Sequence, residues 1–279
     1  MTKPLVMITG ACGGLGKAFC VECASRGWDL FITDVSTGYL DDLSSGLKSA
    51  WGINVFSYAC DLTDVASRDA LFGSIRSSGM KFHMLINVAG VEFEGLFMEK
   101  TREQLRTLLR VNIEGTLEVT REMIARRDPA QPFRIITVSS LAAFYPMPVK
   151  AMYAASKVFL LNFFRALREE LRHRGCTITL LCPAGMPTNK MLMESIDSQG
   201  FMGLLTTRNT GYVANKTVNH ALKGKHTYIP GIVNVFLRIL GGLLPPRVVS
   251  KAIAARWRTV AKRLPQPVEE PSSGLALDA

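Results

Sequence analysis

Residues 5–16 read LVMITGACGGLG, an apolar run that turns into a glycine-rich segment directly after Thr9. The run predicts a buried strand, and the amphipathic sequence behind it predicts a helix over residues 15–27. Glycines at such a turn let the backbone bend sharply and approach a pyrophosphate, while the start of the helix offers N–H groups and the positive end of its dipole. An ordinary strand-to-helix turn has the same pattern, so the rest of the chain has to decide between the two.

Short apolar runs alternate with longer amphipathic stretches along the chain, which is the pattern of successive β-α units in a parallel sheet. The predicted strands cover residues 5–9, 29–33, 54–59, 84–87, 134–139, 177–182 and, with a weaker pattern, 226–229. The predicted helices cover residues 15–27, 38–51, 64–78, 101–127, 150–173 and 209–223. Because the strands are apolar on both faces, helices should cover both sides of the sheet. The sequence therefore predicts a single α/β domain over residues 1–230, a doubly wound parallel sheet of the Rossmann type.

The composition is that of a globular protein, with 48% hydrophobic and 20% charged residues among 279. The net charge of +10 is unevenly distributed. Residues 198–268 contain 11 Lys or Arg and no Asp or Glu, whereas residues 1–100 contain 8 basic and 11 acidic residues. The basic C-terminal part suits an anionic lipid, an acidic substrate or a protein partner, and equally a solvated helix face. We predict no nucleic-acid partner.

Six cysteines, at positions 12, 20, 23, 60, 176 and 182, are scattered through apolar segments. They lack the density of a disulfide framework, which favours a cytoplasmic location. Cys20 and Cys23 have the CxxC spacing of a metal site, but they fall inside the first predicted helix and no second pair follows. We therefore predict packing cysteines and no metal. The first residues also lack the apolar run of a secretory signal.

Asp34 follows the second predicted strand, 18 residues after Gly16. A carboxylate at this place can accept hydrogen bonds from an adenosine ribose and would repel a 2′-phosphate, which favours NAD over NADP. Taken alone, Asp34 would serve equally well as a turn residue.

Tyr153 and Lys157 are four residues apart in a predicted helix, so their side chains lie on one face. An ammonium group near a phenol favours the phenolate, and a phenol tuned towards neutral pH can donate a proton to a carbonyl oxygen or take one from an alcohol. Ser140 follows a predicted buried strand, at the carboxyl edge where α/β folds bind ligands. The YxxxK spacing alone is common on solvated helices, but with Ser140 it indicates a catalytic site.

The chain resembles the short-chain dehydrogenase/reductase family, which carries a TGxxxGxG loop, an NNAG-like motif, a serine 13 residues before a tyrosine, and YxxxK. Here these motifs read TGACGGLG at 9–16, NVAG at 87–90, Ser140 with Tyr153, and YAASK at 153–157, in the family's order. The resemblance covers about 230 residues. It implies the Rossmann fold predicted above and an NAD-preferring oxidoreductase similar to the hydroxysteroid dehydrogenases.

The resemblance also implies a role for each catalytic residue. Tyr153 exchanges a proton with the substrate oxygen, and Ser140 donates a hydrogen bond to that oxygen. Lys157 holds the nicotinamide ribose and lowers the pKa of Tyr153. Asn112, in the predicted helix over 101–127, relays protons through a water molecule.

The resemblance further implies a set of cofactor-binding residues. Asp61 and Leu62 lie beside the adenine. A second group lines the cofactor and stabilises the central strands, and it consists of Asn87, Ala89 and Gly90. The whole implied set is Thr9, Gly10, Gly14, Leu15, Gly16, Asp34, Asp61, Leu62, Asn87, Ala89, Gly90, Tyr153, Lys157, Pro183 and Thr188.

Two positions depart from the family motifs. Val88 replaces the second asparagine of NNAG, a change we expect to have little effect. Pro183-Ala184 stands where the family has Pro-Gly, so the backbone beneath the nicotinamide should shift slightly. Thr188 keeps the family's hydroxyl near the carboxamide.

Two further positions bear on the choice of cofactor. Gly13 and Val35 stand where relatives that prefer NADP often carry Arg or Lys. Their lack of charge agrees with Asp34 in favouring NAD as the cofactor.

Residues 231–263 form an apolar run followed by a basic amphipathic stretch. The 14 residues of 231–244 are too few to span a membrane as a helix. We predict a helical extension that packs near the substrate entrance, with attachment to a membrane surface as the alternative. Residues 264–279 are rich in Pro and Ser and predict a disordered tail.

The expected substrate is a hydrophobic small molecule, a bulky alcohol or ketone such as a steroid or bile acid. Methionines and phenylalanines in residues 186–205 and the apolar extension favour this class. The alternatives are a 3-oxoacyl or other lipid-chain reductase, and an NAD-binding sensor without catalysis. The family resemblance implies homodimers or homotetramers built through the helices at 101–127 and 150–173.

Overall fold

A computed structural model describes residues 3–186 and 207–261. Seven parallel strands form one sheet in the order β3-β2-β1-β4-β5-β6-β7. The strands are β1 (Leu5–Thr9), β2 (Asp29–Asp34), β3 (Val55–Ala59), β4 (Met84–Asn87), β5 (Phe133–Val138), β6 (Cys176–Leu181) and β7 (Thr227–Tyr228). Each lies where an apolar run predicted it. The predicted fold class, a single-domain α/β fold with a doubly wound parallel sheet, is confirmed.

The helices of the described residues follow the predicted amphipathic stretches. They are α1 (Gly14–Ser25), α2 (Thr37–Trp51), α3 (Val65–Ser78), α4 (Arg102–Leu109), α5 (Thr116–Ala125), α6 (Ala151–Glu170), α7 (Thr210–Leu222), α8 (Ile232–Leu243) and α9 (Pro246–Ala261). Short 3₁₀ turns cover Phe97–Glu99, Leu141–Phe144 and Arg172–Arg174, and a π turn covers Arg110–Gly115.

The strand order reverses between β1 and β4, because the chain first moves outward through β2 and β3 and then returns to pair β4 with β1. The register places Thr9 directly beside Asn87, although the two are far apart in sequence. Doubly wound sheets bind ligands at the carboxyl ends of the strands at such a switch point. The topology therefore places the site where the glycine-rich loop meets the NVAG segment.

The core has two layers, one on each side of the sheet, because successive strand residues point to opposite faces. Met7 packs into the layer formed with α3, α5 and α6. Its neighbours Val6 and Ile8 pack into the layer formed with α1, α2 and α7. This burial on both faces explains why the strands are apolar throughout rather than alternating with polar residues.

The single helix predicted over 101–127 contains the π turn in the structure. Arg68 of α3 is fully buried and lies against this turn. Its guanidinium donates to the Leu62 carbonyl at 2.6 Å and to Glu118 at 2.7 Å, and it also pairs with Glu114. In a π turn the backbone hydrogen bonds join residues five apart instead of four, so one extra residue is accommodated. The periodicity of apolar positions does not reveal this. The prediction of a helix over 101–127 is therefore confirmed, because the chain is helical without a break over 102–125, and the π turn within it was not predicted.

Two helices, α8 and α9, occupy most of residues 231–263. The first of them packs against the 3₁₀ turn at Leu141–Phe144, which follows β5 at the carboxyl edge of the sheet. No helix within 3–186 or 207–261 is both long and apolar enough to cross a membrane. Thr188 and the predicted tail at 264–279 lie outside the described residues.

Candidate active site

The glycine-rich loop between β1 and α1 is pressed against the NVAG segment. Gly10 has φ +65°, and a Cβ there would lie 2.7 Å from the Ala89 Cα. The Thr9 hydroxyl accepts the backbone N–H groups of Val88 at 3.2 Å and Ala89 at 3.3 Å. A Cβ on Gly16 would lie 1.9 Å from the Gly10 carbonyl oxygen. Both glycines are therefore required by close backbone approach.

The start of α1 has the features of a pyrophosphate site. The helix begins at Gly14, Leu15 follows as a buried residue, and Gly13 at the N-cap offers no side chain to the first N–H groups. These donors and the positive end of the helix dipole are available for an anion. A dinucleotide phosphate fits this part of the structure.

Asp34 lies across the same loop at the end of β2. Its Oδ2 accepts the Cys12 N–H at 2.8 Å, and its Oδ1 accepts the Ser36 N–H at 3.4 Å. Val35, the next residue, is 67% exposed. The carboxylate is thus held beside the glycine-rich loop by the backbone, which is the position that the ribose of a dinucleotide would need.

Asp61 and Leu62 follow β3, the strand at one edge of the sheet. Asp61 Oδ1 accepts both the N–H and the hydroxyl of Thr63 at 2.8 Å. Leu62 is buried, and a Cβ on Gly115 of the π turn would lie 3.0 Å from its Cβ. The loop that should hold the adenine therefore also touches the π turn.

Asn87 is buried at the end of β4. Its Nδ2 donates to the hydroxyls of Thr120 at 2.9 Å and Thr137 at 3.3 Å. These bonds join β4 to α5 and to β5, so Asn87 holds the neighbouring elements together at the edge that carries the site.

Asn112 lies in the π turn and is fully buried. Its Oδ1 accepts the Val91 N–H at 2.8 Å, while its Nδ2 donates to the Val91 carbonyl at 3.0 Å and to Ser156 Oγ at 3.2 Å. A Cβ on Gly90 would lie 3.3 Å from Asn112 Oδ1 and 3.4 Å from Lys157 Nζ. Asn112, Gly90 and Lys157 therefore meet at one point.

The two serines after β5 have different partners. Ser139 donates from Oγ to the Lys157 carbonyl at 2.9 Å and so anchors α6. Ser140 Oγ accepts the Ala142 N–H at 3.1 Å and donates to the Pro183 carbonyl at 3.5 Å, and its hydroxyl is near enough to Tyr153 to lower the pKa of the phenol. The serine that faces the phenol is Ser140.

Lys157 is 4% exposed, and its Nζ donates to the Val138 carbonyl at 3.1 Å. The same Nζ lies 5.5 Å from the centre of the Tyr153 ring. Burial lowers the pKa of Lys157 to about 8, although the nearby Glu92 carboxylate acts in the opposite direction. Water stabilises an ammonium group little in this buried place, so the charged form of Lys157 is disfavoured.

The pKa of Tyr153 is raised, contrary to the lowered value expected from Lys157. Burial is the largest cause, and the negative charge of Glu92 adds to it, whereas the nearby Ser140 hydroxyl acts against it. Desolvation and Glu92 together disfavour the phenolate more than Ser140 favours it. Tyr153 is therefore a neutral phenol at pH 7, the form that donates a proton.

A model of the short chain dehydrogenase family matches residues 4–199, more than two thirds of the chain. The chain belongs to this family. Among curated relatives of this short-chain dehydrogenase, the very-long-chain 3-oxoacyl-CoA reductase-A of Danio rerio is 25% identical over 181 residues. The match covers 63% of this chain and 56% of the zebrafish protein, so it spans little more than half of that relative.

Solved structures share the fold of this short-chain dehydrogenase at low identity. A Burkholderia phymatum short-chain dehydrogenase in complex with NAD has a TM-score of 0.74 at 24% identity, covering 85% of this chain and 92% of its own. A Sphingobium yanoikuyae short-chain dehydrogenase in complex with NADPH has a TM-score of 0.72 at 23%, covering 96% and 99%. A 7β-hydroxysteroid dehydrogenase has a TM-score of 0.78 at 19%, covering 90% and 96%. Both dinucleotides thus occur among the structural neighbours.

Sequence reasoning missed an ion-pair cluster beside Tyr153. Lys150 Nζ lies 2.5 Å from Glu92 Oε1 and also pairs with Glu94. Val149 has φ +71°, unusual for a β-branched residue, and its carbonyl accepts the Gly95 N–H at 3.1 Å. These contacts join the loop after β4 to the loop before α6 in this short-chain dehydrogenase. The acidic pattern VEFEG directly after NVAG was the available signal.

The buried lysine of this short-chain dehydrogenase leads to a prediction about stability and pH. Because the pKa of Lys157 is lowered to about 8, the unfolded chain binds a proton between pH 8 and about 10.5 that the folded chain has released. Stability therefore rises with pH in this window. Lys157→Met should raise the free energy of unfolding of the cofactor-free protein by about 1–3 kcal/mol at pH 7, and the gain should shrink towards pH 10. Denaturant titrations across this pH range measure it.

The control is Lys81→Met, which removes an exposed lysine. Its effect on the free energy of unfolding should be small at every pH. A gain for Lys157→Met that is the same at pH 7 and pH 10 would show that packing, and not the charge, is responsible.

Proposed function

We propose that this short-chain dehydrogenase interconverts a secondary alcohol and a ketone with NAD, on a bulky hydrophobic substrate such as a steroid or bile acid. The observation that carries the proposal is the convergence of four side chains: Lys157 Nζ lies 5.5 Å from the centre of the Tyr153 ring, Asn112 and Lys157 both lie beside Gly90, and the Ser140 hydroxyl is near enough to the phenol to affect its pKa. When bound, the dinucleotide supplies or accepts the hydride.

The side chains act on the substrate oxygen. A carbonyl oxygen placed beside Tyr153 takes the phenol proton, while Ser140 donates a hydrogen bond to the same oxygen. Both donors stabilise the negative charge that develops on this oxygen during reduction. In the reverse direction, the deprotonated Tyr153 accepts the alcohol proton. Lys157 and Asn112 line the route along which Tyr153 regains or loses its proton.

The preference for NAD is supported by the place of Asp34 beside the glycine-rich loop, with the uncharged Gly13 and Val35 around it. A carboxylate there repels a 2′-phosphate, and no added cation compensates at these two positions. We expect wild-type kcat/KM to be higher with NAD than with NADP.

The double variant Asp34→Ala with Val35→Arg should lower the ratio of kcat/KM with NAD to that with NADP by about 10-fold or more, which corresponds to 1.4 kcal/mol. The repulsive carboxylate is lost, and a guanidinium that can bind phosphate is gained. Steady-state kinetics with both cofactors measure the ratio.

Asp34→Asn is the matched control, because its amide oxygen can still accept the Cys12 N–H. This variant loses the negative charge of Asp34 but keeps the hydrogen bond that holds the loop. Its cofactor ratio therefore shows the effect of the charge alone. A wild-type enzyme that works better with NADP would contradict the assignment.

The bulky substrate class is supported by the apolar side chains beside the site, which line a small, partly open cavity of about 30 Å³. Aromatic and aliphatic side chains line much of it, and Met152 directly precedes Tyr153 in the chain. The lining includes Phe93, Phe97, Leu105, Leu108, Val149 and Met152. Apolar walls with a few polar groups are typical of sites for small hydrophobic ligands.

A 3-oxoacyl or other lipid-chain reductase is the second candidate. It is favoured by the similarity to the very-long-chain 3-oxoacyl-CoA reductase-A of zebrafish. NADH fluorescence with hydroxysteroids, bile acids and 3-hydroxyacyl thioesters distinguishes the candidates. Turnover of thioesters alone would replace the steroid proposal, and NAD binding without turnover of any of them would favour a sensor.

The proposed assembly is a homodimer or homotetramer through α4, α5 and α6. Leu109 at the end of α4 is 45% exposed and Phe159 of α6 is 40% exposed, so apolar side chains are available there. The proposed compartment is the cytoplasm, because the six cysteines are unpaired in the structure.

A further inference from the structure

Helix α8 places its polar and small residues against the protein. Asn234 is 1% exposed, and its Nδ2 donates to the Pro230 carbonyl at 2.6 Å. The Arg238 guanidinium lies 5.3 Å from the centre of the Phe144 ring. A Cβ on Gly241 would lie 2.2 Å from Cε1 of Tyr145. Residues 234, 238 and 241 are spaced i, i+4 and i+7, so they form the inner face of the helix.

Six of the eight large apolar residues of α8 point away from the protein, whereas Val233 and Leu237 are half-buried. The six also follow helical spacing, so they form one continuous face opposite the inner one. Their exposed fractions are Ile232 87%, Val235 37%, Phe236 62%, Ile239 51%, Leu240 41% and Leu243 77%. Leu244 and Val248 continue the surface beyond the helix at 41% and 50%. We call these eight residues the outer apolar face.

This orientation is the reverse of the usual one. A surface helix that serves only the fold buries its apolar face on the core and leaves its polar face in water. A contiguous exposed apolar surface of this kind marks an interaction site. The outer apolar face is therefore built to contact something other than this chain's own core.

The charge around the face distinguishes between the candidate occupants. Arg247 and Lys251 of α9 are exposed next to it, and residues 198–268 contain 11 basic and no acidic residues. A second copy packed on this face would bring two basic segments together, which is unfavourable. An anionic lipid surface attracts such a segment by about 1 kcal/mol per cation near the membrane.

We propose that the outer apolar face of α8 inserts into the surface of an anionic lipid bilayer, with Arg247 and Lys251 of α9 at the level of the head groups. The helix has 12 residues and is about 18 Å long, so it lies in the plane of the interface and does not cross the hydrocarbon core. Because α8 packs on Phe144 and Tyr145, shortly after Ser140, docking holds the catalytic edge of the sheet next to the lipid.

The test is co-sedimentation of the full chain with phosphatidylcholine vesicles that contain or lack phosphatidylglycerol. We expect binding to the anionic vesicles that weakens as the salt concentration rises. The double variant Phe236→Gln with Ile239→Gln should lower the partition constant by about 100-fold, because two apolar side chains no longer enter the lipid. Its thermal midpoint should stay close to that of the wild type, since both side chains are exposed.

The matched control is Trp51→Gln with Val21→Gln, which removes two exposed apolar side chains from α1 and α2. This variant should bind vesicles as the wild type does. Equal binding by the α8 variant and the control would overturn the proposal, and so would the absence of sedimentation with anionic vesicles. A dimer in sedimentation velocity that the α8 variant alone converts to a monomer, without vesicle binding, would identify a second copy as the occupant instead.

Discussion

Replacing Tyr153 with phenylalanine should lower kcat by about 10²- to 10⁴-fold while NAD binding stays close to that of the wild type. The half-buried ring remains in place, with Lys157 Nζ 5.5 Å from its centre. Only the oxygen that exchanges a proton with the substrate is lost. Single-turnover kinetics and dinucleotide titration by fluorescence measure the two effects separately.

Tyr145→Phe is the matched control for this prediction. Tyr145 lies in the segment after Ser140, and its buried hydroxyl has no hydrogen-bond partner among the described residues. Its removal should leave kcat unchanged, and the protein should be as stable as the wild type or more so, since an unpaired buried polar group is removed. A Tyr153→Phe enzyme that kept more than about a tenth of the wild-type kcat would refute the proposed role of Tyr153.

Gly16→Ala should weaken dinucleotide binding by about 10- to 100-fold and should also lower the free energy of unfolding. Alanine is the better helix former by about 1 kcal/mol, so propensity alone predicts stabilisation. The new Cβ, however, would lie 1.9 Å from the Gly10 carbonyl oxygen and 2.9 Å from the Ala11 Cα. Backbone atoms cannot rotate away as a flexible side chain does, so α1 has to move and its first N–H groups move with it. Isothermal titration with NAD and thermal denaturation measure the outcome.

Gly13→Ala provides the comparison within the same loop. Gly13 has φ −71° and ψ 159°, which any residue adopts, and a Cβ there would lie 3.5 Å from the Gly10 carbonyl oxygen. Both the affinity for NAD and the thermal midpoint should therefore change little. Similar losses for the two variants would mean that the loop, and not the close approach of α1, limits binding.

The strands and the glycine-rich loop were predictable because their signals are local. A run of apolar residues between polar turns identifies a buried strand wherever it lies in space. Tyr153 and Lys157 share a helix face because the helix repeat places residues four apart together. The 13-residue spacing to Tyr153 likewise pointed to Ser140 and not to Ser139. The Ser140 hydroxyl affects the pKa of the phenol, whereas Ser139 Oγ donates to the Lys157 carbonyl.

Other features of the site depend on contacts between distant segments. The π turn that carries Asn112 and the pairing of Lys150 with Glu92 and Glu94 join parts of the chain that no local pattern connects. The π turn inside the helix predicted over 101–127 was missed for this reason. Periodicity does not show where a buried cation such as Arg68 lies beside a helix.

By itself, the sequence determined the α/β order and the glycine-rich loop, and it predicted the candidate catalytic residues, because each depends on neighbours along the chain. Only the tertiary structure decided how far Tyr153 is removed from water and the direction in which α8 faces. The pKa of a phenol depends on how far the fold removes it from water, and burial is the largest cause of the raised pKa of Tyr153. The amphipathic pattern of α8 has two faces, and packing against Phe144 and Tyr145 turned the apolar one outward.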